Sequence, residues 1–137
     1  MLTETEYCPG ATRMVSPGRT RGRPEDAMAN LHDALSLAEA ADNPFRRSSA
    51  LYQLSVLQRE LRNAPEALAA SLAAYRFAEA AKCAYAMVNA RMAESAVMEL
   101  LDRPARELAA MQEALAIARS SRSTTAEAKA LINLADI

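Results

Sequence analysis

Apolar positions in this chain follow a pattern that returns every 40 residues. The segment that starts at Ala27 reads AMANLHDALSLAEAA, and its outline returns as ALAASLAAYRFAEAA from Ala67 and as ELAAMQEALAIARSS from Glu107. A fixed period of this length is typical of repeat architectures, in which one small unit stacks on copies of itself. We therefore expect a series of similar structural units.

A second periodic segment with the same spacing lies between these stretches. Three of its columns are apolar throughout. They are Ala50, Ala90 and Ala130; Tyr52, Met92 and Ile132; and Leu57, Val97 and Ile137. In both kinds of segment, large apolar residues recur at three- and four-residue intervals, which is the stripe of an amphipathic helix. No run alternates with period two, as a half-buried strand would. The pattern predicts an all-α fold of helix pairs with about five helices.

Polar residues and prolines mark the expected helix ends. Thr124, with Glu127 three residues later, resembles a capping box that opens the last helix. Asn63 tolerates the left-handed conformation that ends many helices. Proline is favoured in a first helical turn, so prolines predict where the second helix of each pair begins. These prolines are Pro24, Pro65 and Pro104.

Composition narrows the class of protein. The 137 residues are consistent with one domain, and 51% are hydrophobic although only 4% are aromatic, so the core must rely on alanine and aliphatic side chains. No run of about 18 apolar residues and no signal-like N-terminus is present, which favours a cytoplasmic protein without membrane contact. Cys8 and Cys83 have no metal-ligand spacing. No motif for a cofactor, a metal or a nucleophile is found, so we expect no enzyme.

Residues 1–23 differ from the rest because they hold all three glycines and a cluster of arginines. We expect an irregular basic arm here, followed by the repeat domain over residues 24–137. The arm could bind nucleic acid weakly through counterion release. However, no aromatic residues lie between its arginines and the remaining chain is acidic, so a solvated tail without specific nucleic-acid binding is favoured. Alternatively, Tyr7, Met14 and Val15 cover the first helix or enter a groove. The arginines are Arg13, Arg19, Arg21 and Arg23.

The repeats resemble tetratricopeptide repeats, in a 40-residue variety seen in bacterial regulatory proteins. The resemblance covers about residues 24–137 and rests on small-residue columns, with departures at Glu94 and Glu107. One column matches the small position of the family's first helix, and two match alanines of its second helix. In order, these columns are Ser55, Ser95 and Ala135; Ala27 and Ala67; and Ala34, Ala74 and Ala114.

The resemblance implies a right-handed solenoid whose first helices line a concave face, and such faces bind peptides or helices. The mixture of apolar and polar residues on the implied face suits an apolar peptide with a few polar anchors. The alternative is that Tyr52, Met92 and Ile132 only pack against one another. The implied face consists of Ser49, Tyr52, Val56, Arg59, Asn89, Met92, Ala96, Glu99, Lys129, Ile132 and Asp136.

Two single residues need separate interpretations. Glu94 is the one charge in an otherwise apolar column, and an unpaired buried carboxylate is costly. We favour an ion pair with Arg91, three residues back, or a local rotation, over a ligand contact. His32 is the only histidine and has no catalytic partner at a suitable spacing, so it is interpreted as a surface or packing residue.

The last repeat holds only its first helix, which leaves a helical face without a partner in the sequence. That face consists of Ala130, Leu131, Leu134 and Ile137. Either the chain is the N-terminal docking or sensing part of a longer bacterial regulatory protein, or this face pairs two copies. The resemblance implies an output domain such as a diguanylate cyclase or a transcriptional regulator. The leading prediction is a non-catalytic scaffold that binds a protein or peptide, and the alternative is a homo-oligomerisation module.

Overall fold

The computed structural model describes residues 23–137, which form six α-helices and no strand. The all-α prediction is confirmed, but the number of helices is six rather than about five. The helix starts recur every 20 residues. The sequence repeats only every 40 residues, because the two helices of a pair have different sequences, so the repeat period does not give the number of helices. The helices are α1 (Pro24–Ala40), α2 (Pro44–Glu60), α3 (Ala64–Ala80), α4 (Ala84–Leu100), α5 (Pro104–Ser120) and α6 (Thr124–Ala135).

Each connection between these helices uses the same backbone turn. At the end of α3, the Lys82 N–H donates to Glu79 O (3.0 Å) and the Cys83 N–H donates to Ala78 O (3.1 Å). This pair of bonds is a Schellman motif, which satisfies carbonyls that the helix leaves open. The same two bonds close α1, α2, α4 and α5. The left-handed residues of the five turns have φ between 49° and 65° and are Asp42, Arg62, Lys82, Asp102 and Arg122.

These turns correct the prediction for Asn63. The left-handed residue is Arg62 (φ 65°), and Asn63 instead occupies the N-cap position of α3. Its side-chain Nδ2 donates to Gln58 Oε1 at 2.8 Å. Each of the five turns has a charged residue at its left-handed position, although glycine is preferred there. No composition signal therefore marked these turns in the sequence.

First and second helices differ in side-chain capping at their starts, although proline also opens the first helix α2, at Pro44. The second helices, α1, α3 and α5, have a proline at the first or second position and no side-chain cap, which confirms the interpretation of the three prolines. The first helices, α2, α4 and α6, have a side chain that accepts a hydrogen bond from the N–H three residues on. The three accepting atoms are Asn43 Oδ1 (3.1 Å), Cys83 Sγ (3.3 Å) and Ser123 Oγ (3.2 Å).

The cap of α6 differs from the predicted capping box. Ser123 rather than Thr124 is the capping residue, because its Oγ accepts from the Ala126 N–H. Glu127 does not reach back to the cap, and its Oε1 instead accepts from Arg119 Nε at 3.1 Å. The interaction joins α5 to α6 across an exposed surface.

Helices pack in chain order. Each helix contacts the next one along the chain, and α4 also contacts α2 and α6. Within residues 23–137, neither α1 and α3 nor α3 and α5 are in contact. Alanine allows the close approach, since many of the buried residues between helices have no bulk beyond Cβ. The fully buried alanines of the second helices are Ala67, Ala74, Ala78, Ala114 and Ala118, each 0% exposed.

Buried serines join the two helices of each pair. The Ser55 hydroxyl in α2 donates to Ala67 O in α3 (2.9 Å), and the Ser95 hydroxyl in α4 donates to Glu107 O in α5 (3.0 Å). Both serines belong to the predicted small-residue column. A small hydroxyl is suited to this column because it leaves room for the neighbouring helix and still pairs its own polar atom.

The predictions for the N-terminal arm, including Tyr7, Met14 and Val15, fall on residues 1–22 and lie outside the described residues. Within residues 23–137, no helix combines the length and apolar character that crossing a membrane requires.

Candidate functional site

The first helices α2, α4 and α6 lie side by side and form one continuous face, because α4 contacts both of the others. Besides a cavity of about 440 Å³ at the C-terminal ends of α2 and α4, this face holds two cavities that share a residue, one of about 430 Å³ and one of about 600 Å³. Both volumes fall within the range of pockets that hold small ligands or side-chain groups, ~300–1,000 Å³. Tyr52 lines both cavities and therefore forms the wall between them.

The smaller cavity is called the methionine cavity, after Met92 and Met111 in its lining. The Asn133 Nδ2 donates to Met92 Sδ at 3.6 Å and fixes the thioether at one side. Seven of the eleven predicted residues line this cavity, so the stripe derived from the sequence is brought together here. These seven are Tyr52, Val56, Arg59, Met92, Ala96, Glu99 and Asp136.

The larger cavity is called the tyrosine cavity, after Tyr52 and Tyr85 in its lining. Three more predicted residues, Ser49, Asn89 and Lys129, line it together with Tyr52. Helix α1 supplies the opposite wall with apolar side chains. Those side chains are Leu31, Ala34, Leu37 and Ala38.

Ile132 is the predicted site residue that the structure does not bring into either cavity. Its side chain is 67% exposed, so the alternative of a packed row of Tyr52, Met92 and Ile132 does not hold at this position. The predicted oligomer face also needs a correction, because Ala130 is fully buried inside the chain. Leu131 and Ile137 are exposed (44% and 50%), and Leu134 is half-buried.

Lys129 is a half-buried amine in the wall of the tyrosine cavity. Its Nζ donates to Asn89 Oδ1 at 3.0 Å and lies 5.8 Å from the centroid of the Tyr85 ring. Within residues 23–137, no carboxylate approaches this Nζ within 4.0 Å. Burial lowers the pKa of Lys129, since removing an ammonium from water disfavours its charged form.

Tyr52 also has an altered pKa. Burial raises the pKa of its hydroxyl, Tyr85 raises it further, and the positive charge of Arg59 lowers it. The hydroxyl is therefore a neutral donor and acceptor between the two cavities at ordinary pH. It offers hydrogen bonding without a charge at the point where the cavities meet.

Glu94 lies away from these cavities and has a partner. The Arg91 Nη1 donates to Glu94 Oε1 at 2.7 Å, which confirms the predicted pairing. Arg91 Nε also lies 2.9 Å from Glu113 Oε2, in an ion pair that lacks hydrogen-bond alignment. Its guanidinium carbon lies 3.7 Å from the centroid of the Tyr75 ring. Burial lowers the pKa of Arg91, but these carboxylates outweigh burial and raise it overall. The cluster joins α3, α4 and α5 and is structural.

Some lining residues were missed by the sequence pattern. Tyr85 lies four residues before Asn89, and Phe45 four residues before Ser49, so extending the stripe by one helical turn would have included both. The α1 side chains carry no such signal, since α1 is a second helix and the predicted stripe runs along first helices only. Met111 belongs to α5 and was missed for the same reason.

One possible kind of site, a cluster of metal-binding side chains, can be checked directly in the described residues. No group of three His, Cys, Asp or Glu side chains within residues 23–137 is arranged to hold a metal ion. His32 is exposed on α1, as expected for a surface residue. No protein family, curated protein or solved structure matches the chain when it is compared with known proteins. The class that the fold defines is an all-α protein of consecutively packed, repeat-like helices.

Proposed function

We propose that this chain is a non-catalytic binding module of the tetratricopeptide type, which holds a segment of a partner protein across the face of α2, α4 and α6. The observation that carries the proposal is the pair of adjacent cavities that share Tyr52. The tyrosine cavity combines apolar walls with a few polar groups, which is the composition of peptide grooves, whereas polar and charged residues make up half of the lining of the methionine cavity.

The packing pattern supports a curved array. Among the described helices, first helices contact one another whereas second helices do not, so the array is narrower on the side of α2, α4 and α6. A stack of this kind bends toward its narrow side and makes that side concave. The same face is the one that the tetratricopeptide resemblance assigns to ligand binding. In this proposal the module acts inside a larger regulatory protein of the cytoplasm.

Selection of peptides from a random display library tests the proposal. Peptides enriched on the wild-type protein are expected to bind the Arg76→Ala variant equally well, because Arg76 is exposed on α3. The Tyr52→Ala variant should lose at least about ten-fold in affinity, roughly the effect of removing one aromatic anchor. Circular dichroism and thermal melting establish that both variants fold.

A second readout does not depend on variants. When an enriched peptide is added to isotope-labelled protein, the largest chemical-shift changes should fall on residues of α2, α4 and α6. Changes concentrated on α3 and α5, or a library that yields no binder, would refute the proposal. Both measurements report on the face itself and not on the identity of the natural partner.

A second candidate function is homo-oligomerisation through the end of α6. It is supported by three large apolar side chains that are exposed within a short stretch of sequence: Leu131 (44%), Ile132 (67%) and Ile137 (50%). Light scattering over a range of concentrations is expected to give a dimer for the wild type and a monomer for Leu131→Gln with Ile132→Gln. A wild-type monomer at all concentrations would rule this function out.

A further inference from the structure

The two cavities differ in charge. Among the described residues, those that line the tyrosine cavity include the basic Arg46 and Lys129 and no acidic residue. The methionine cavity is lined by one basic residue, Arg59, and by three acidic residues. The acidic residues are Glu99, Glu107 and Asp136. The described lining of the tyrosine cavity is therefore net positive, and that of the methionine cavity is net negative.

Three of these charged groups have no ion-pair partner in the described part of the chain. Within residues 23–137, the neutral Asn89 oxygen is the hydrogen-bond partner of Lys129 and the Tyr85 ring is its other neighbour, so its remaining N–H donors can bind a carboxylate. In the same part of the chain, neither Glu99 nor Asp136 forms an ion pair within 4.0 Å. Charged groups at the ends of a groove select a partner by complementarity.

A length scale follows from α4, which runs past both cavities. Asn89 borders the tyrosine cavity and Glu99 borders the methionine cavity, ten residues further along the same helix. At 1.5 Å per residue, the two positions are roughly 15 Å apart. An extended peptide covers that distance in about four or five residues. A helical peptide needs about ten.

We propose that this groove takes a partner segment with opposite charges at its ends, a carboxylate at Lys129 and a basic side chain at Glu99 and Asp136. An apolar side chain between the two charges lies over Tyr52, the shared wall. The charges set which way round the segment binds, because the reversed orientation places like charges together. The inference rests on the proposed function and specifies the chemistry of its partner.

Charge-swapped proteins test this polarity. The library is selected in parallel on the wild type, on Lys129→Glu, and on Glu99→Lys with Asp136→Lys. Wild-type peptides should carry one acidic and one basic residue, separated by about five residues if extended or about ten if helical. Selection on Lys129→Glu should replace the acidic residue by a basic one and leave the other end unchanged. Selection on the double variant should reverse only the basic end.

Synthetic peptides give the quantitative readout. A fluorescein-labelled peptide from the wild-type selection is expected to lose at least about ten-fold in affinity on each swapped protein. Reversing the matching charge in the peptide should restore the affinity. Lys129→Gln provides a neutral control of similar size, with an intermediate loss. Far-UV circular dichroism checks that every variant folds.

Two outcomes separate the inference from the proposed function. If enriched peptides map to α2, α4 and α6 but keep their affinity within about two-fold on both swapped proteins, the polarity is wrong and groove binding stands. If no peptide is enriched on any of the proteins, the proposed function itself fails. Restored affinity with the charge-reversed peptide supports the inference, since a merely structural effect of the substitutions would not be rescued by a change in the ligand.

Discussion

Helices α1 and α3 share a sequence outline but differ in burial. Ala74 in α3 is 0% exposed, because α3 packs against both α2 and α4, whereas the equivalent Ala34 in α1 is exposed. Leu37 in α1 is 71% exposed, and the equivalent Phe77 in α3 is half-buried. Among the described residues, α1 packs only against α2. The repeat pattern thus defines the contact stripe of a helix, but the number of neighbours decides whether that stripe is core.

The difference in burial between α1 and α3 also affects the candidate binding site. The stripe that forms core in α3 forms a wall of the tyrosine cavity in α1. The same set of small and apolar positions therefore provides stability in one helix and an accessible apolar surface in another. Leu51 and Leu131 make the same contrast between first helices, with 8% and 44% exposure.

The largest expected effect comes from enlarging the shared alanine column. Ala74→Leu should destabilise the protein by about 1–3 kcal/mol, because extra methylenes must fit into a fully packed contact. Ala34→Leu should change stability by less than about 0.5 kcal/mol, since its position is exposed. Guanidinium denaturation followed by circular dichroism measures both. Equal losses of stability at the two positions would show that the number of neighbouring helices does not decide how sensitive this column is to a larger side chain.

A smaller effect is expected at the buried serines. Ser55→Ala removes the hydrogen bond to Ala67 O between α2 and α3 and should cost about 1 kcal/mol. Ser36→Ala is the matched control, because Ser36 is exposed on α1 and alanine has the higher helix propensity. The same denaturation measurement should show a slight gain for this control. A loss at Ser36 as large as that at Ser55 would remove the distinction between central and outer helices.

The smallest expected effect concerns Lys129, whose side chain lines the accessible tyrosine cavity. Its pKa is lower in the folded than in the unfolded chain, so the unfolded chain binds more protons between the two values. The cost of burying the ammonium is therefore fully present below the folded-state pKa and fades as pH rises toward 10.5. Lys129→Met should raise Tm by on the order of 2 °C at pH 7, and the difference should shrink near pH 10.

Calorimetry at the two pH values checks this prediction. A Lys129→Met protein that is less stable than the wild type at pH 7 would show that the Asn89 hydrogen bond outweighs burial. The gain in stability would accompany weaker binding of acidic peptides if Lys129 serves the groove, because functional charges are commonly kept at some expense in stability.

Much of the fold could be predicted from the sequence, because the repeat period and the alanine columns determine which positions face other helices. Ala74 and Ala114 were assigned to one column and are both fully buried. The sequence predicts the cap of α6 one residue late, at Thr124, because serine and threonine are both favoured as caps and stand side by side. The turn at Arg62 could not be predicted, because a charged residue occupies a position where glycine is usual.

The candidate site was predictable as a stripe but not as a surface with charges at its ends. Ser49 and Glu99 follow from helical spacing on single helices. Other features depend on how separate helices pack. They are the contact of Arg91 with Glu113 and the lack of a carboxylate near Lys129 within residues 23–137. Spacing within one helix carries no information on such contacts. Ala130 belongs to the terminal face that the sequence predicts to be exposed, but its side chain is fully buried.

The order of helix contacts has a consequence for how the chain folds. Every contact between the described helices joins helices that are adjacent or next but one along the chain. Assembly therefore needs no closure of a long loop, and such topologies fold quickly. Structure can start at any central pair and spread outward, as in a one-dimensional chain of coupled units. Local unfolding should begin at α1 and α6, where amide protons are expected to exchange with solvent soonest.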